Sequence, residues 1–183
     1  MNKKLIMALI VAVIAVVAGI TVFYLWGGGL IPPKEPTYSE LTISKAPTLG
    51  ETAELTFKVW LREDYPHENR ESMILISLPE GITWAENAFV TIDNEIKTLR
   101  IVPSSELIFS DNYTHFGVEN VWITKKPLEV KGTVRAIKNG KWNIVADALT
   151  LTHQSSYATK FLGLFVSENE AYAQEGGFWS GVP

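Results

Sequence analysis

Residues Thr133–Ala146 read TVRAIKNGKWNIVA, and this stretch gives the strongest local signal of fold class in the chain of 183 residues. Apolar and polar residues alternate on both sides of Asn139-Gly140, as they do in strands with one buried and one exposed face. Asn-Gly supplies the positive φ angles that a two-residue type I′ turn requires. The stretch therefore predicts a β-hairpin.

Other segments repeat the period of two. Residues 53–61 alternate five apolar side chains with polar residues and Trp60. Shorter apolar runs, each ended by turn residues, lie at 41–43, 73–78, 89–93, 99–102, 106–109, 116–124 and 161–166. The sequence after Trp26 lacks the spacing of an amphipathic helix. About eight strands at spacings of roughly 8–12 residues predict an all-β fold, an antiparallel sandwich.

The amino terminus has a different character. Leu5–Trp26 is a run of 22 residues without a charged side chain. As a helix it would be about 33 Å long, which suffices for a hydrocarbon core of about 30 Å. A secretory signal peptide has a shorter apolar region and a small-residue cleavage site, and Ala18-Gly19 leaves cleavage open as the alternative. Because the apolar run continues past that point, we expect residues 1–26 to form a signal-anchor transmembrane helix.

The charges on either side of this span predict its orientation. Lys3 and Lys4 precede it, whereas Lys34 and Glu35 balance each other beyond it. Cytoplasmic flanks are the ones enriched in Lys and Arg. We therefore expect a single-pass protein with a cytoplasmic amino terminus and a carboxy-terminal domain outside the membrane, at the cell surface or in a periplasm.

Three segments follow the predicted span. Residues 27–37 contain three glycines and three prolines, which predicts a flexible and then extended tether. Residues 38–168 hold the predicted strands and form the ectodomain. Residues 169–183 are a tail that is first polar and then rich in glycine and aromatic residues.

Composition and charge exclude several classes of function. The net charge is −4 and the pI is about 5.4, which argues against nucleic-acid binding because phosphate neutralisation needs clustered basic residues. The chain has no cysteine, so disulfides, thiolate zinc sites, iron–sulfur clusters and cysteine nucleophiles are excluded. We expect no cofactor.

Candidate catalytic and metal-binding groups are sparse. His67, His115 and His153 are 48 and 38 residues apart, so we expect each on the surface or in a loop, and we predict no metal site. Acidic clusters such as residues 63–71 are typical of solvated loops, with loop-bound calcium as the alternative. Nucleophile motifs with the required spacing are missing as well. We therefore expect no catalytic residues, and a protein that is not an enzyme.

A few residues are candidates for binding or modification. Trp60 falls on the polar face of the strand at 53–61, so it is a predicted partner or ligand contact unless a loop or a second sheet covers it. Phe178 and Trp179 lie among glycines, and we predict that they dock on a sheet, add to a sheet edge or meet a partner, with a flexible terminus as the alternative. Asn112 begins the sequon Asn-Tyr-Thr and is a predicted glycosylation site.

Short motifs give a resemblance to a known group. Residues 49–59, LGETAELTFKV, resemble the entry to the second strand of immunoglobulin-like modules on prokaryotic cell surfaces. Residues 76–82 resemble their LPEG strand end, and residues 139–144 a late hairpin. CARDB-type adhesion modules are the group that the chain is most similar to. The resemblance implies an immunoglobulin-like sandwich and an adhesive or scaffolding role.

Together these observations predict a membrane-anchored extracytoplasmic β-sandwich. Its expected task is adhesion, scaffolding or assembly of an envelope complex through protein–protein contacts. The alternative is a glycan- or polymer-binding module that uses surface aromatics, with Trp60 and its neighbours as the platform. The expected partners are the lipid bilayer, through Leu5–Trp26, and a protein or another component of the cell envelope.

Overall fold

The computed structural model describes residues 37–85, 89–92, 95–103, 107, 112–149 and 158–178. The predicted span Leu5–Trp26, nearly all of the tether, and Trp179 lie outside these residues. Within the part that is described, no helix is long and apolar enough to cross a membrane.

The described residues form twelve strands and no helix. The strands are β1 (Thr37–Ile43), β2 (Thr52–Leu61), β3 (Asn69–Pro79), β4 (Ile82–Trp84), β5 (Phe89–Ile92), β6 (Glu95–Thr98), β7 (Arg100–Val102), β8 (Tyr113–Thr124), β9 (Leu128–Ala136), β10 (Gly140–Leu149), β11 (Lys160–Val166) and β12 (Ala171–Glu175). The all-β prediction is confirmed for this part of the chain.

The strands form two antiparallel sheets. Sheet A has the order β1-β2-β9-β5-β6, and β4 also pairs with β9. Sheet B has the order β12-β11-β10-β3-β8-β7. The predicted architecture, an antiparallel β-sandwich, is confirmed.

The core between the sheets follows from the period of two. On β2 the side chains of Leu55, Phe57, Val59 and Leu61 are fully buried, as the alternation predicts. They pack with inward side chains of sheet B such as Ile144 on β10. Burial of each large apolar side chain stabilises the fold by about 1.5–3 kcal/mol, so this alternation holds the two sheets together.

Strand β3 departs from the period of two because both of its faces are buried. Ile74 and Ile76 point into the core, while Met73 and Leu75 belong to a second apolar cluster on the outer face of sheet B. Leu107, from the connection after β7, completes this second cluster. A strand that is covered on both faces needs a continuous apolar run, which explains the sequence MILISL at residues 73–78.

The hairpin predicted for Thr133–Ala146 is wrong, although both of its strands exist. β9 pairs with β2, β4 and β5 in sheet A, whereas β10 pairs with β3 and β11 in sheet B. The segment around Asn139-Gly140 therefore crosses from one sheet to the other. Of these two residues only Gly140 has a positive φ, of 143°, whereas a type I′ turn needs two.

The physical reason lies in the register that a hairpin would impose. A two-residue turn at 139–140 would place Arg135 opposite Ile144 and Ala136 opposite Asn143, so each face would mix apolar and polar side chains. In the sandwich Ala136 of β9 and Ile144 of β10 both face the core from opposite sheets and are fully buried. Burial of both apolar faces outweighs the local preference of Asn-Gly for a tight turn.

Candidate functional site

Two connections between the sheets meet at one end of the sandwich. The connection from β3 to β4 passes through Gly81, whose carbonyl accepts hydrogen bonds from the backbone N–H groups of Ile137 (2.8 Å) and Lys138 (3.3 Å). The indole of Trp142 covers Gly81, and a Cβ at that glycine would lie 2.0 Å from its Cε2 atom. The indole also donates from Nε1 to the Lys138 carbonyl at 3.0 Å. These contacts fix the start of β10.

A groove of about 670 Å³ opens at this end of sheet B. We call it the end groove; it is lined by Pro79, Glu80, Asn112, Tyr113, Lys141, Trp142 and Asn143. The starts of β8 and β10 and the end of β3 supply these residues, so three strands of one sheet shape the groove. Its lining combines aromatic rings, two amides and charges of both signs.

The C-terminal tail returns to this end of sheet B. After β12, Gly176 and Gly177 adopt positive φ angles of 80° and 79°, which glycine tolerates and other residues rarely do. The turn brings Phe178 back over β10 and β11. The Asn143 side chain then holds the Phe178 backbone twice: Nδ2 donates to the carbonyl at 2.9 Å, and Oδ1 accepts from the N–H at 2.7 Å.

A glycine provides the space for the Phe178 ring. Ring atoms Cδ2 and Cε2 lie 2.9 Å from the position that a Cβ at Gly163 would occupy. The ammonium group of Lys141 lies 5.5 Å from the centre of the same ring, within the range of a cation–π contact. Three contacts thus fix the position of Phe178: the hydrogen bonds from Asn143 to its backbone, the packing of its ring on Gly163, and the ammonium group of Lys141. Of the outcomes predicted for this residue, the structure shows docking on a sheet.

Phe178 completes a cluster of three aromatic rings on the outer face of sheet B. Phe165 and Tyr172 stack across the β11–β12 pair with centroids 5.0 Å apart and planes at 19°. Tyr172 meets Phe178 edge to face at 5.9 Å. Tyr172 is 46% exposed, and the other two rings are half-buried. We call Phe165, Tyr172 and Phe178 the aromatic cluster.

The aromatic cluster and the end groove form one continuous surface. Lys141 and Asn143 line the groove, and they also hold Phe178. Lys141 is exposed, and in the part of the chain that is described no carboxylate forms an ion pair with it. The surface thus offers aromatic area, a cavity and a cation side by side.

Trp60 lies elsewhere, on the outer face of sheet A. It is half-buried and packs against Tyr38, its partner across the β1–β2 pair, with centroids 5.8 Å apart and planes tilted by 39°. The guanidinium of Arg62 lies 5.2 Å from the centre of the Tyr38 ring. The two described residues that the sequence singled out for binding, Trp60 and Phe178, are therefore on different sheets and do not form one site.

Asn112 is exposed at the rim of the end groove, directly before β8. The prediction that it carries a glycan stays a prediction. Because Asn112 lines the end groove, a glycan on it would restrict access to the groove.

The histidines follow the sequence expectation only in part. His67 is exposed beside Tyr65, and His153 lies outside the described residues. The expectation is wrong for His115, which is buried in β8 with its Nδ1 atom 2.7 Å from the Ser77 hydroxyl oxygen. β8 places this side chain on the outer face of sheet B, where the second apolar cluster also lies and closes it off from solvent. Among the described residues no three His, Asp or Glu side chains form a metal-binding group.

Part of the outer face of sheet A carries exposed, paired charges. Hydrogen bonds from Lys58 (2.8 Å) and Lys131 (3.0 Å) hold the pKa of Glu129 below its usual value. The same contact with Glu129 raises the pKa of Lys58. Solvent screens these exposed pairs, so they contribute little to stability. They keep this part of the face polar, in contrast to the aromatic cluster on the other sheet.

Sequence reasoning missed most of the candidate site. Phe165 and Tyr172 looked like ordinary members of a strand and a tail, and Lys141 and Asn143 like parts of a hairpin. Gly163 within an apolar run was the available signal, because a glycine inside a strand often marks a place where another group approaches the backbone.

The chain was also compared with known proteins. No family model matches it, and no curated protein matches its sequence. Among solved structures it is similar to the cohesin module of a family 33 glycoside hydrolase from Clostridium perfringens. The identity is 13%, the TM-score is 0.45, and the match covers 78% of this chain and 96% of that one.

Two further similar structures come from bacterial surfaces. The adhesin Fhb of Streptococcus suis, bound to the disaccharide receptor Gb2, is 10% identical with a TM-score of 0.42, over 77% of this chain and 88% of that one. The major pilin SpaD from Corynebacterium diphtheriae is 8% identical with a TM-score of 0.44, over 70% of this chain and 34% of that one. At these identities and TM-scores the likeness carries no inference about function.

Proposed function

We propose that this chain is a non-catalytic, immunoglobulin-like surface module that binds a partner protein through the aromatic cluster and the end groove. In this proposal Leu5–Trp26 anchors the chain in a membrane, residues 27–37 act as a tether, and the β-sandwich lies on the extracytoplasmic side. The binding would serve adhesion, scaffolding or assembly of an envelope complex.

One observation carries the proposal: the tail fixes Phe178 against Tyr172, which stacks on Phe165, next to a groove and an exposed cation. Aromatic side chains that are held rigidly lose little conformational entropy on binding, and for this reason they are frequent at the centres of protein interfaces. Here two hydrogen bonds from Asn143 and the contact with Gly163 supply that rigidity.

The chemistry of the surface indicates what the partner presents. The end groove, at about 670 Å³, has room for a large apolar side chain, and Trp142 and Tyr113 line it. Lys141, beside the groove, would attract a carboxylate. We therefore expect a partner segment in which an apolar side chain lies close to an acidic one.

The ring geometry favours a protein over a sugar at this site. Stacking on a sugar needs an open ring face, but Phe165 and Tyr172 cover each other's inner faces, with planes only 19° apart. The Phe178 ring lies against Gly163, and Lys141 approaches it as well. These contacts occupy ring faces that a sugar would need, whereas the groove beside them suits the side chains of a protein partner.

Site-specific photo-crosslinking tests this function. A photoreactive phenylalanine analogue replaces Tyr172 in the full-length chain, expressed in its own host's membranes and illuminated there. The matched control carries the analogue at Tyr38, which is 47% exposed against 46% for Tyr172 but lies on the other sheet. We expect a discrete protein adduct from position 172 that is absent from position 38 and is weakened several-fold by Lys141→Gln. Equal adducts at both positions, or an adduct that Lys141→Gln leaves unchanged, would reject the proposed site.

The anchoring and orientation have their own test. Because the chain has no cysteine, Ile137→Cys introduces a single exposed thiol in the connection between β9 and β10. We expect a membrane-impermeant maleimide to label it in intact cells or spheroplasts, and we expect the protein to resist extraction by carbonate. Labelling only after lysis would reject the proposed orientation.

The second candidate function is glycan binding at Trp60. The observation in its favour is the tilted Tyr38–Trp60 pair with Arg62 beside it, since an aromatic face next to a guanidinium is suited to a sugar ring with hydroxyl groups. Retention of the protein on envelope polysaccharide that Trp60→Ala abolishes and Tyr172→Ala does not would support this candidate. Retention that is unaffected by Trp60→Ala would dismiss it.

A further inference from the structure

Strand β6 is an edge strand with an unusual composition. It comprises Glu95, Ile96, Lys97 and Thr98, ends the strand order of sheet A, and pairs only with β5 among the described strands. All four residues are exposed, and Ile96 at 76% is the most exposed large apolar side chain of the described residues. An exposed apolar side chain on an unpaired strand edge favours association with another strand.

The charges of β6 make it complementary to itself. Glu95 and Lys97 lie on the same face of the strand and already form an ion pair at 2.7 Å. In an antiparallel pair of two β6 strands centred on Ile96, each Glu95 would lie opposite the Lys97 of the other copy. Opposite charges at directly facing positions stabilise a strand pair, and like charges destabilise it.

The other three strands that end a strand order lack this property. An antiparallel self-pair of β1 centred on its middle residue would place Glu40 opposite Glu40, which is repulsive. A self-pair of β12 centred on Ala173 would place no opposite charges against each other. A self-pair of β7 centred on Ile101 would place Arg100 opposite Val102, so no opposite charges would face each other. Of the four strands that end the two strand orders, β6 is therefore the one that matches a second copy of itself.

We propose that two copies of this chain associate through their β6 strands, in antiparallel register with Ile96 on the two-fold axis. The pairing would join two copies of sheet A into one continuous sheet. It would satisfy the free backbone N–H and C=O groups along β6, bury the two Ile96 side chains against each other and form two Glu95–Lys97 pairs between copies. The two-fold axis would pass between the two copies of Ile96. The same surface of each copy would then meet itself, as is usual in symmetric dimers.

Disulfide trapping tests the register directly, because the chain has no cysteine of its own. Facing residues of an antiparallel pair have Cα atoms about 4.5–5.5 Å apart, which falls within the range that a disulfide spans. We expect the full-length Ile96→Cys chain in mild detergent to form a covalent dimer rapidly on oxidation. The matched control is Ile101→Cys on edge strand β7, where the isoleucine is 66% exposed. Equal rates for both variants would overturn the proposal.

Charge reversal at Glu95 and Lys97 provides a second test. Its positive result, recovery of affinity when two variants are mixed, cannot come from misfolded chains. Glu95→Lys places lysine opposite lysine at both positions, and Lys97→Glu places glutamate opposite glutamate. Each variant alone should self-associate about tenfold more weakly than the natural chain. The affinity is measured by sedimentation-velocity analytical ultracentrifugation in detergent. An equimolar mixture should recover the affinity, because a Glu95→Lys copy facing a Lys97→Glu copy has opposite charges at both positions. Failure of the mixture to recover would overturn the proposed register.

Discussion

The substitution Gly163→Ala tests the docking of the C-terminal tail, on which the candidate site depends. The new methyl group would lie 2.9 Å from two carbon atoms of the Phe178 ring and 3.2 Å from the Gly177 carbonyl carbon. Real Cβ atoms essentially never approach other atoms closer than 3.0 Å, so the ring must leave its position. Because the Gly177 backbone is also only 3.2 Å from the new methyl group, the tail would move with the ring, and we expect the two hydrogen bonds between Asn143 and the Phe178 backbone to be lost.

The size of the effect follows from the contacts that are lost. Two hydrogen bonds contribute about 1 kcal/mol each, and the edge-to-face contact of Phe178 with Tyr172 about 0.5–1.5 kcal/mol. Release of Phe178 returns backbone entropy worth about 1–2 kcal/mol. We therefore expect Gly163→Ala to lower the free energy of unfolding by about 1–2 kcal/mol.

A double-mutant cycle shows whether Phe178 is the cause. Phe178→Ala removes the ring and should cost a similar 1–2 kcal/mol or so. In that background Gly163→Ala should change stability by less than about 0.5 kcal/mol, because alanine no longer meets the ring and is better suited than glycine to a strand. The assay is urea unfolding of the four full-length proteins in detergent, followed by tryptophan fluorescence. Additive effects of the two substitutions would refute the reasoning, because they would mean that Gly163 and Phe178 do not interact.

Three further predictions concern other contacts in the sandwich. Gly81→Ala would put a Cβ 2.0 Å from the Trp142 indole and should cost about 3 kcal/mol, seen as a lower Tm and as a change in near-UV circular dichroism; an unchanged spectrum would contradict the packing described. Ser77→Ala removes the buried hydrogen bond with His115 and should cost about 1–2 kcal/mol in the same unfolding assay, whereas Ser77→Thr, which keeps the hydroxyl, should cost less. The neighbouring lysines lower the pKa of Glu129, so its contribution to stability is present at neutral pH and is lost as the pH falls below about 4.5. Glu129→Gln should therefore be less stable than the natural chain at pH 7 and equally stable in acid, and a difference that persists in acid would exclude this cause.

Much of the fold could be predicted from the sequence because burial on one face of a strand leaves a period of two. β2 shows this most clearly: residues 53–61 alternate, and their apolar members are buried in the core. The dense run in β3 likewise predicted a strand, but the sequence did not indicate that an outer apolar cluster would cover its second face. Alternation reports on the faces of a single strand and carries no information about the neighbours of that strand.

The candidate site was less accessible to sequence reasoning. Phe178 was singled out because aromatic residues among glycines are costly to leave in water, and it does dock on sheet B. The partners that give it a role are Asn143, Gly163 and Tyr172, on three different strands. Their convergence depends on the pairing of β10 with β11 and of β11 with β12, which is a property of the assembled sheet.

The sequence by itself thus determined the all-β class, the polar and apolar faces of individual strands and the points where strands end, because each depends on residues within a few positions of one another. Only the tertiary structure decided which strands are neighbours. Asn139-Gly140 shows the difference: its local preference is a hairpin, yet β9 and β10 lie in opposite sheets. Each strand buries its apolar face by facing the core from its own sheet, whereas pairing side by side would mix apolar and polar side chains on both faces. The same competition placed Lys141 and Asn143 beside the tail and thereby created the candidate site.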